Sequence, residues 1–364
     1  PAHAGDGLML FGHDHDELAR RIRYIRAGPF DPAARRHAYQ NLTFVVAGTL
    51  IAAAARMPWQ TAVSRYLLRP LGMTNTTFTQ ADLLNSKNAA SGHAWSGGYL
   101  RVFNQNLPYA DWPYRYGLSA GINSNVMDLS RWMMFQFGYS NIVSRKTLDF
   151  IQAEYTRSGR DDDGNPQYYA MGWRRINLPN GRHIIFHAGV TDCFHSLIYF
   201  DPVEKIGIVL LSNVAAGNHS FAFARRFFDM YFGAEIVDNS QLAMERAVRR
   251  HANRTADAQR QRDSIVPAPA RAFKYYVGKF HNELYGYVKI AEENDRLIVQ
   301  ILPSNVRIRL VHSHADTFNH GGLVGWRLRN PFVIFKFDEA SANAARITIT
   351  TMTDGIETFF TRVN

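Results

Sequence analysis

Several side-chain groups in the sequence have types and spacings that support chemistry. His13 and His15 flank Asp14, and His312 and His314 flank Ser313; alternate residues of a strand share a face, so either pair could chelate a metal ion. No His-Glu-x-x-His and no third ligand at a matching spacing goes with them. Fourteen histidines in 364 residues produce such pairs by chance, so the sequence argues for no metal site and no cofactor. Nucleophilic hydrolysis needs a nucleophile, a base and donors to an oxyanion. No Gly-x-Ser-x-Gly is present, and the single cysteine, Cys193, has no Gly-x-Cys context; it reads as a small packed residue. What remains is Tyr39-Gln40-Asn41 opening an apolar helix, Ser119-Ala120-Gly121 ahead of a second helix, and His187-Ala188-Gly189 closing a β-run. Each also has a plainer reading: Tyr-x-Asn as a helix cap beside a core aromatic, His-Ala-Gly as a strand end.

The elements that would position these groups follow from periodicity. Apolar residues recur at helical spacing from Asp14 to Ile25 and from Asn41 to Leu68, the second stretch breaking between Met57 and Pro58. Phe78 to Tyr116 is rich in Asn, Gly, Ser and Pro and reads as a long surface excursion, in which Trp95, Trp112, Tyr114 and Tyr116 are candidates for an acyl pocket or for the core. Helical period returns at Asn125–Phe137, and Ser144 caps a helix to Glu154. Tyr168–Ile176, His183–Ala188, Ser196–Phe200 and Ile206–Ser212 read as an antiparallel meander closed by a helix at Ser220–Tyr231. Helices, then strands, then a helix predict an α+β domain with helices packed on an antiparallel sheet. A polar helix at Gln241–Asp263 and a stiff Pro267-Ala268-Pro269-Ala270 spacer follow. From Lys274, short β-runs at Gly286–Ile290, Arg296–Ile301, Val306–His312, Gly325–Leu328, Phe332–Phe337, Ala345–Met352 and Glu357–Arg362 predict a separately packed small barrel or sandwich. His312, His314 and His320 beside Asp316–Asn319 are expected on a surface turn. The predicted boundaries are 1–236 for the first domain, 237–270 for the linker and 271–364 for the barrel.

Composition limits the partners. The chain is 46% apolar and 20% charged, with 41 basic and 31 acidic residues leaving +10. Basic residues cluster only as pairs such as Arg35–Arg36 and Arg249–Arg250, so the excess reads as a diffuse surface rather than a nucleic-acid stripe. One cysteine excludes an internal disulfide framework. The most apolar run, Leu42–Ala55, falls short of the ~18 residues of a membrane span and contains Thr43, Gly48 and Thr49. Residue 1 is Pro with no targeting pattern behind it, which reads as an internal start.

Taken together and in order, the short motifs resemble the penicillin-recognising serine hydrolases of the class C β-lactamase type, a family that also holds esterases, D-aminopeptidases and D-Ala-D-Ala carboxypeptidases. The resemblance covers residues 1 to about 233 and rests on Ala4-Gly5-Asp6-Gly7-Leu8, Tyr39 to Gly48, Pro70-Leu71-Gly72-Met73-Thr74-Asn75-Thr76, Ser119 to Ser124, Met171-Gly172-Trp173, His187-Ala188-Gly189 and Leu211-Ser212-Asn213. Tyr276 to Phe280 and Tyr285 to Val288 resemble the opening of the lipocalin-like domain often fused to these hydrolases.

The resemblance implies a β-lactamase-like α+β domain, N-terminally incomplete, followed by a lipocalin-like barrel. It also implies a Ser-x-x-Lys nucleophile motif, and no serine here has Lys three residues on; the motif is expected upstream of Pro1, on a segment that is also a candidate partner as a second chain. In the implied roles, Tyr39 is the general acid/base and Asn41 bonds the lysine and the acyl amide. His187, on an edge strand, stands where the Lys-Thr-Gly form has Lys and would donate to a substrate carboxylate or to Tyr39. Ala188 replaces the usual hydroxyl, Gly189 admits substrate to the backbone, and the Val190 N–H is an oxyanion donor. Expected partners are a small ester, amide or peptide substrate, with no nucleic acid and no membrane span, in a possible homo-oligomer that is periplasmic or secreted. The rival reading is a non-catalytic ligand-binding relative of the same fold.

Overall fold

A computed structural model describes residues 7–8, 11–24, 37–96, 99–104, 110–214, 218–235, 238–263, 266–320, 332–338, 342–350 and 357–363. Helix α1 (His15–Arg21) is capped by Asp14, whose carboxylate accepts from the Glu17 N–H at 2.7 Å. Helix α2 (Leu42–Ala55) buries Leu42, Val45 and Gly48 along one stripe and ends at Arg56 in the left-handed region. Pro58 lacks an N–H and disfavours helix at Met57. The chain therefore bends by 74° into α3 (Trp59–Val63) and its wider continuation Ser64–Leu68. No single described helix is long and apolar enough to cross a membrane.

The excursion carries more structure than its composition suggested: a helix α4 (Gln80–Asn85), a hairpin of β1 (His93–Ser96) and β2 (Tyr99–Val102), and a short helix α5 (Trp112–Arg115). Trp112 and Tyr116 are buried in the core. Helix α6 (Val126–Gln136) starts at the Asn125 cap, and its buried Asp128 accepts from the Asn75 N–H at 2.9 Å and the Thr76 hydroxyl at 2.8 Å. That carboxylate ties the Pro70–Thr76 turn to α6. Helix α7 (Arg145–Ile151) begins at the Ser144 cap as expected.

Six strands form an antiparallel meander in chain order: β3 (Thr156–Arg160), β4 (Pro166–Tyr169), β5 (Arg174–Asn177), β6 (His183–Val190), β7 (His195–Asp201) and β8 (Ile206–Ser212). β3 was not anticipated. The run Tyr168–Ile176, expected as one strand, is two, because Gly172 at φ 84° allows a tight turn between Ala170 and Trp173. Strand alternation then divides the core. Ile184, Phe186, Leu197 and Tyr199 pack against Ala224 and Phe228 of helix α8 (Asn218–Tyr231), while Ile185 and Phe200 pack against Met133 and Phe137 at the end of α6.

Beyond the long helix α9 (Asn239–Asp263) lies a closed eight-stranded antiparallel barrel. Its strands are β9 (Gly278–Asn282), β10 (Gly286–Glu292), β11 (Leu297–Leu302), β12 (Val306–His314), β13 (Thr317–His320), β14 (Phe332–Phe337), β15 (Ala344–Thr350) and β16 (Glu357–Val363). Thr317–His320, expected as a surface turn, is a strand with Phe318 buried; the strand expected at Gly325–Leu328 lies outside the described residues. The interior is filled by Tyr276, Phe280, Phe318, Phe335, Phe360 and the inward residues of β10 to β12.

Contrary to the expectation of separate packing, this barrel core is continuous with Leu8, Phe11, Leu18, Leu42 and Val45. Phe11 lies with its ring centroid 5.5 Å from Tyr285 and 6.1 Å from Phe360, and its carbonyl accepts from the Ser304 N–H at 3.2 Å. His13 Nε2 donates to the Tyr285 carbonyl at 3.0 Å, and Arg21 Nη1 donates to the carbonyls of Glu283 and Leu284 at 2.9 and 3.1 Å. The physical reason is an apolar mouth that needs a cover, which Leu8, Phe11 and Leu18 supply. Phe11→Ala is expected to cost about 3–5 kcal/mol in denaturant unfolding of the full chain, the usual range for a truncated core aromatic; a loss below about 1 kcal/mol would show that this ring does not hold the mouth.

Candidate active site

Residues 37–41 lead into α2 and place Tyr39, half-buried, beside the sheet. Asn41 occupies the cap position of α2 with helical backbone angles, and its side chain makes no capping hydrogen bond. The plain reading of Tyr-x-Asn as a capping motif is therefore not what the geometry shows.

His187 lies near the end of β6. That strand is interior, flanked by β5 and β7, not an edge as expected. The pairing explains both descriptions: the β5 register ends at Arg174 opposite Phe186, whereas β7 continues along β6 to Val190 opposite His195. His187 to Val190 thus form a local edge four residues long. Gly189 is exposed there, and a Cβ on it would sit 2.8 Å from the Ser196 hydroxyl across the ladder, so a larger residue would turn that hydroxyl aside. Val190 is 42% exposed. The turn after it is held by Trp112, whose indole N–H donates to Asp192 at 3.0 Å.

Tyr39 and His187 are brought together, with ring centroids 6.4 Å apart, and Tyr169 completes the cluster at 5.9 Å from Tyr39 and 6.2 Å from His187. His37 lies 5.0 Å from Tyr169 on its other side. The Arg174 guanidinium is 6.0 Å from the Tyr39 ring and 5.7 Å from that of Tyr169, within cation–π range. His187 Nδ1 is 2.8 Å from the Ala188 carbonyl, which can only accept, so Nδ1 carries the proton. In the neutral ring Nε2 is then an acceptor, and the Tyr169 hydroxyl donates to it at 3.3 Å. Burial, and after it Arg174, push His187 down to about 4, against the hydrogen bond to Ala188. Burial raises the Tyr169 phenol far above its ordinary value, Tyr39 adding to the rise and Arg174 opposing it. At neutral pH the cluster is therefore a neutral imidazole and a protonated Tyr169 beside one cation.

Tyr169, Arg174 and His37 were not picked out from the sequence. The signal lay in the flanks of Met171-Gly172-Trp173: once the turn is recognised, Tyr169 and Arg174 become direct register partners. Other candidates lie elsewhere. The Ser119 hydroxyl donates to the Tyr116 carbonyl at 3.1 Å, and Gly121 is needed because a Cβ would approach the Gly117 and Pro113 carbonyls to 2.9 Å. Cys193 is buried with its Sγ against Gly92, and burial raises its thiol to about 11, so it stays protonated and inert. His13 and His312 spend Nε2 on the carbonyls of Tyr285 and Ala315.

A sequence profile described as Beta-lactamase matches residues 2–227, and one described as a domain of unknown function (DUF3471) matches residues 263–362. Protein flp of Staphylococcus aureus is 28% identical over 180 residues, 48% of this chain and 33% of that protein. Unguisins hydrolase ungD' of Aspergillus campestris is 27% identical over 228 residues, 56% of this chain and 39% of that protein. The chain thus spans between a third and two-fifths of the length of these relatives. An octameric penicillin-binding protein homologue from Pyrococcus abyssi superposes with a TM-score of 0.53 at 16% identity, over 95% of this chain and 70% of that one. At that identity what is shared is the fold.

The low His187 value has a consequence for stability. An unfolded histidine titrates near 6.5, so between about 6.5 and 4 the unfolded chain binds the proton and the folded chain does not. This contribution is complete above the unfolded value and is lost as pH falls towards the folded one. His187→Asn is expected to flatten the decline of melting temperature over that window; an unchanged slope would place the ring's titration at its ordinary value.

Proposed function

The chain belongs to the beta-lactamase family of serine hydrolases, and from that premise we propose that it acts through an acyl-enzyme on small esters or D-amino-acid-containing amides and peptides. The observation that carries this reading is the meeting of Tyr39 with His187 at the stretch of β6 that β5 leaves unpaired. A strand backbone open on one side can align an extended substrate, and a phenol and an imidazole beside it can move protons. The nucleophile is a serine of a Ser-x-x-Lys motif outside these 364 residues, since none lies within them.

In this reading Tyr39 takes the proton of the attacking serine and returns it to the leaving group. Asn41 holds the lysine and the acyl amide of the substrate. His187 occupies the place of the lysine of Lys-Thr-Gly. The Val190 N–H and the N–H of the missing serine form the oxyanion hole, with Ala188 and Gly189 lining the approach. The first domain runs over residues 1–236, the linker over 237–270 and a lipocalin-like barrel over 271–364. The barrel is a structural partner of the first domain and not a ligand cup, which the filled interior supports. A homo-oligomer is also part of this reading, supported by the octameric state named for the Pyrococcus homologue.

In the protein that carries the Ser-x-x-Lys segment, Tyr39→Phe should lower kcat for a chromogenic ester by about 10²–10⁴ with little change in KM, the range of general acid–base catalysis. Near-wild-type turnover removes Tyr39 from the mechanism. A protein that neither turns over the ester nor is labelled by a serine-directed phosphonate is the non-catalytic relative.

A further inference from the structure

Asp192 and Cys193 join β6 to β7, with the Thr191 N–H donating to the Phe194 carbonyl at 3.0 Å across the base of the loop. Two-residue hairpin loops favour turns with a positive φ, whose twist matches that of the flanking strands; turns of the other hand splay them. Neither Asp192 nor Cys193 has a positive φ. A connection of this kind needs support from outside itself to keep its strands aligned.

The excursion supplies that support. The Trp112 indole N–H donates to Asp192 Oδ2 at 3.0 Å. Gly92 lies so close to the next turn residue that a Cβ on it would sit 2.7 Å from the Cys193 Cβ. Beside them the His93 N–H donates to the Asn213 carbonyl and the Asn213 side-chain N–H donates to the Ser91 carbonyl, both at 2.8 Å, which ties the same stretch to the end of β8. Trp112 is itself buried, in the core that also contains Leu42 and Val45 of α2. The turn after Val190 and the helix behind Tyr39 are therefore referred to one packed body.

Alternation along the ladder shows what the turn controls. Thr191 and Phe194 are a hydrogen-bonded pair, so Val190 and His195 are a non-bonded one, and the Val190 N–H points away from β7, to the side that β5 has left. Pairing with β7 does not fix that N–H; the turn two residues on does. We propose that Trp112 and Asp192 are the positioning pair of this site: their hydrogen bond holds the turn between β6 and β7, and through it the Val190 N–H, in a fixed relation to Tyr39. The inference rests on the hydrolase reading for the use of that N–H as an oxyanion donor and on the geometry alone for the clamp. A misplacement of about 1 Å at such a site costs on the order of 10²-fold in rate.

Cys193, the single thiol of the chain, reports on the turn, because it is buried and protonated while the clamp is closed. Its labelling by N-ethylmaleimide in the full chain, read by mass spectrometry, should be about tenfold faster in Trp112→Phe and in Asp192→Ala than in the wild type, and no faster in the double variant than in the faster single one. Asp192→Asn keeps an acceptor oxygen for the indole and should stay slow. Leu148→Ala, which truncates a buried residue of α7, gives the labelling that general destabilisation alone produces. In the protein that carries the Ser-x-x-Lys segment, Trp112→Phe should lower kcat for a chromogenic ester by about 10–10² with little change in KM, and Asp192→Asn should keep most of the wild-type rate. Labelling of Trp112→Phe and Asp192→Ala no faster than that of Leu148→Ala overturns the clamp, and faster labelling with an unchanged kcat overturns its positioning role. A wild-type protein that turns over no ester, in which labelling still follows the variants as expected, sinks the hydrolase reading and leaves the hold on Val190 standing.

Discussion

Pairing between β5 and β6 stops at Arg174 and Phe186, and the site depends on that interruption. A fully paired β6 would bury its backbone donors and acceptors in the ladder and leave nothing for a ligand. A wholly unpaired edge would lack the two helical layers that fix its position. The structure has both conditions on one strand: Ile184 to Phe186 are locked between α6 and α8, and the four residues after them emerge with one open side. The turn at Gly172 makes β5 short enough for this, and it also returns the chain so that Tyr169 comes opposite Arg174.

The second constraint is on α2, because Tyr39 and Asn41 are fixed only as well as the first turn of that helix is. Leu42 and Val45 belong to the same continuous core as Leu18, Phe11 and the barrel aromatics. The barrel therefore contributes to the position of the phenol although none of its described residues is in the cluster. Aromatic rings fill the described part of the barrel interior, and that filling gives it rigidity. It packs on Leu8, Phe11 and Leu18, which share one core with Leu42 and Val45 of α2.

Much of this was legible in the sequence, for identifiable reasons. The bounds of β8 and β14, the break at Pro58 and the cap at Ser144 follow from local rules that tertiary contacts did not override. Tyr39, Asn41 and His187 were found through motifs, and the fold put Tyr39 beside His187. The failures share a cause, which is that they depend on partners distant in the chain. β3 is a polar strand, Thr-Arg-Ser-Gly-Arg, that exists because β4 pairs with it. Phe11 and His13 precede a predicted helix and serve as the lid of a barrel that they meet at Tyr285, 272 positions beyond His13. Tyr169 and Arg174 were concealed inside an apparent single strand. A β-period does not reveal where a strand folds back; only the glycine does, and Met-Gly-Trp was noted as a motif without being read as a turn.

The His-Ala-Gly sequence acquires a physical meaning from this arrangement. Where the resemblance leads one to look for a lysine and a hydroxyl on β6, the chain has an imidazole held neutral and a methyl group, so the strand itself carries no cation and no side-chain donor for an anion. A positive charge stands beside it on β5, at Arg174. Arg174 is the register partner of Phe186, the residue before His187, and so stands about one strand spacing, ~4.8 Å, from Phe186 and diagonally across from His187. The guanidinium lies over the rings of Tyr39 and Tyr169, and the neutral imidazole accepts from the Tyr169 hydroxyl. The same interruption that opens the backbone of β6 also lets the Arg174 side chain reach the cluster.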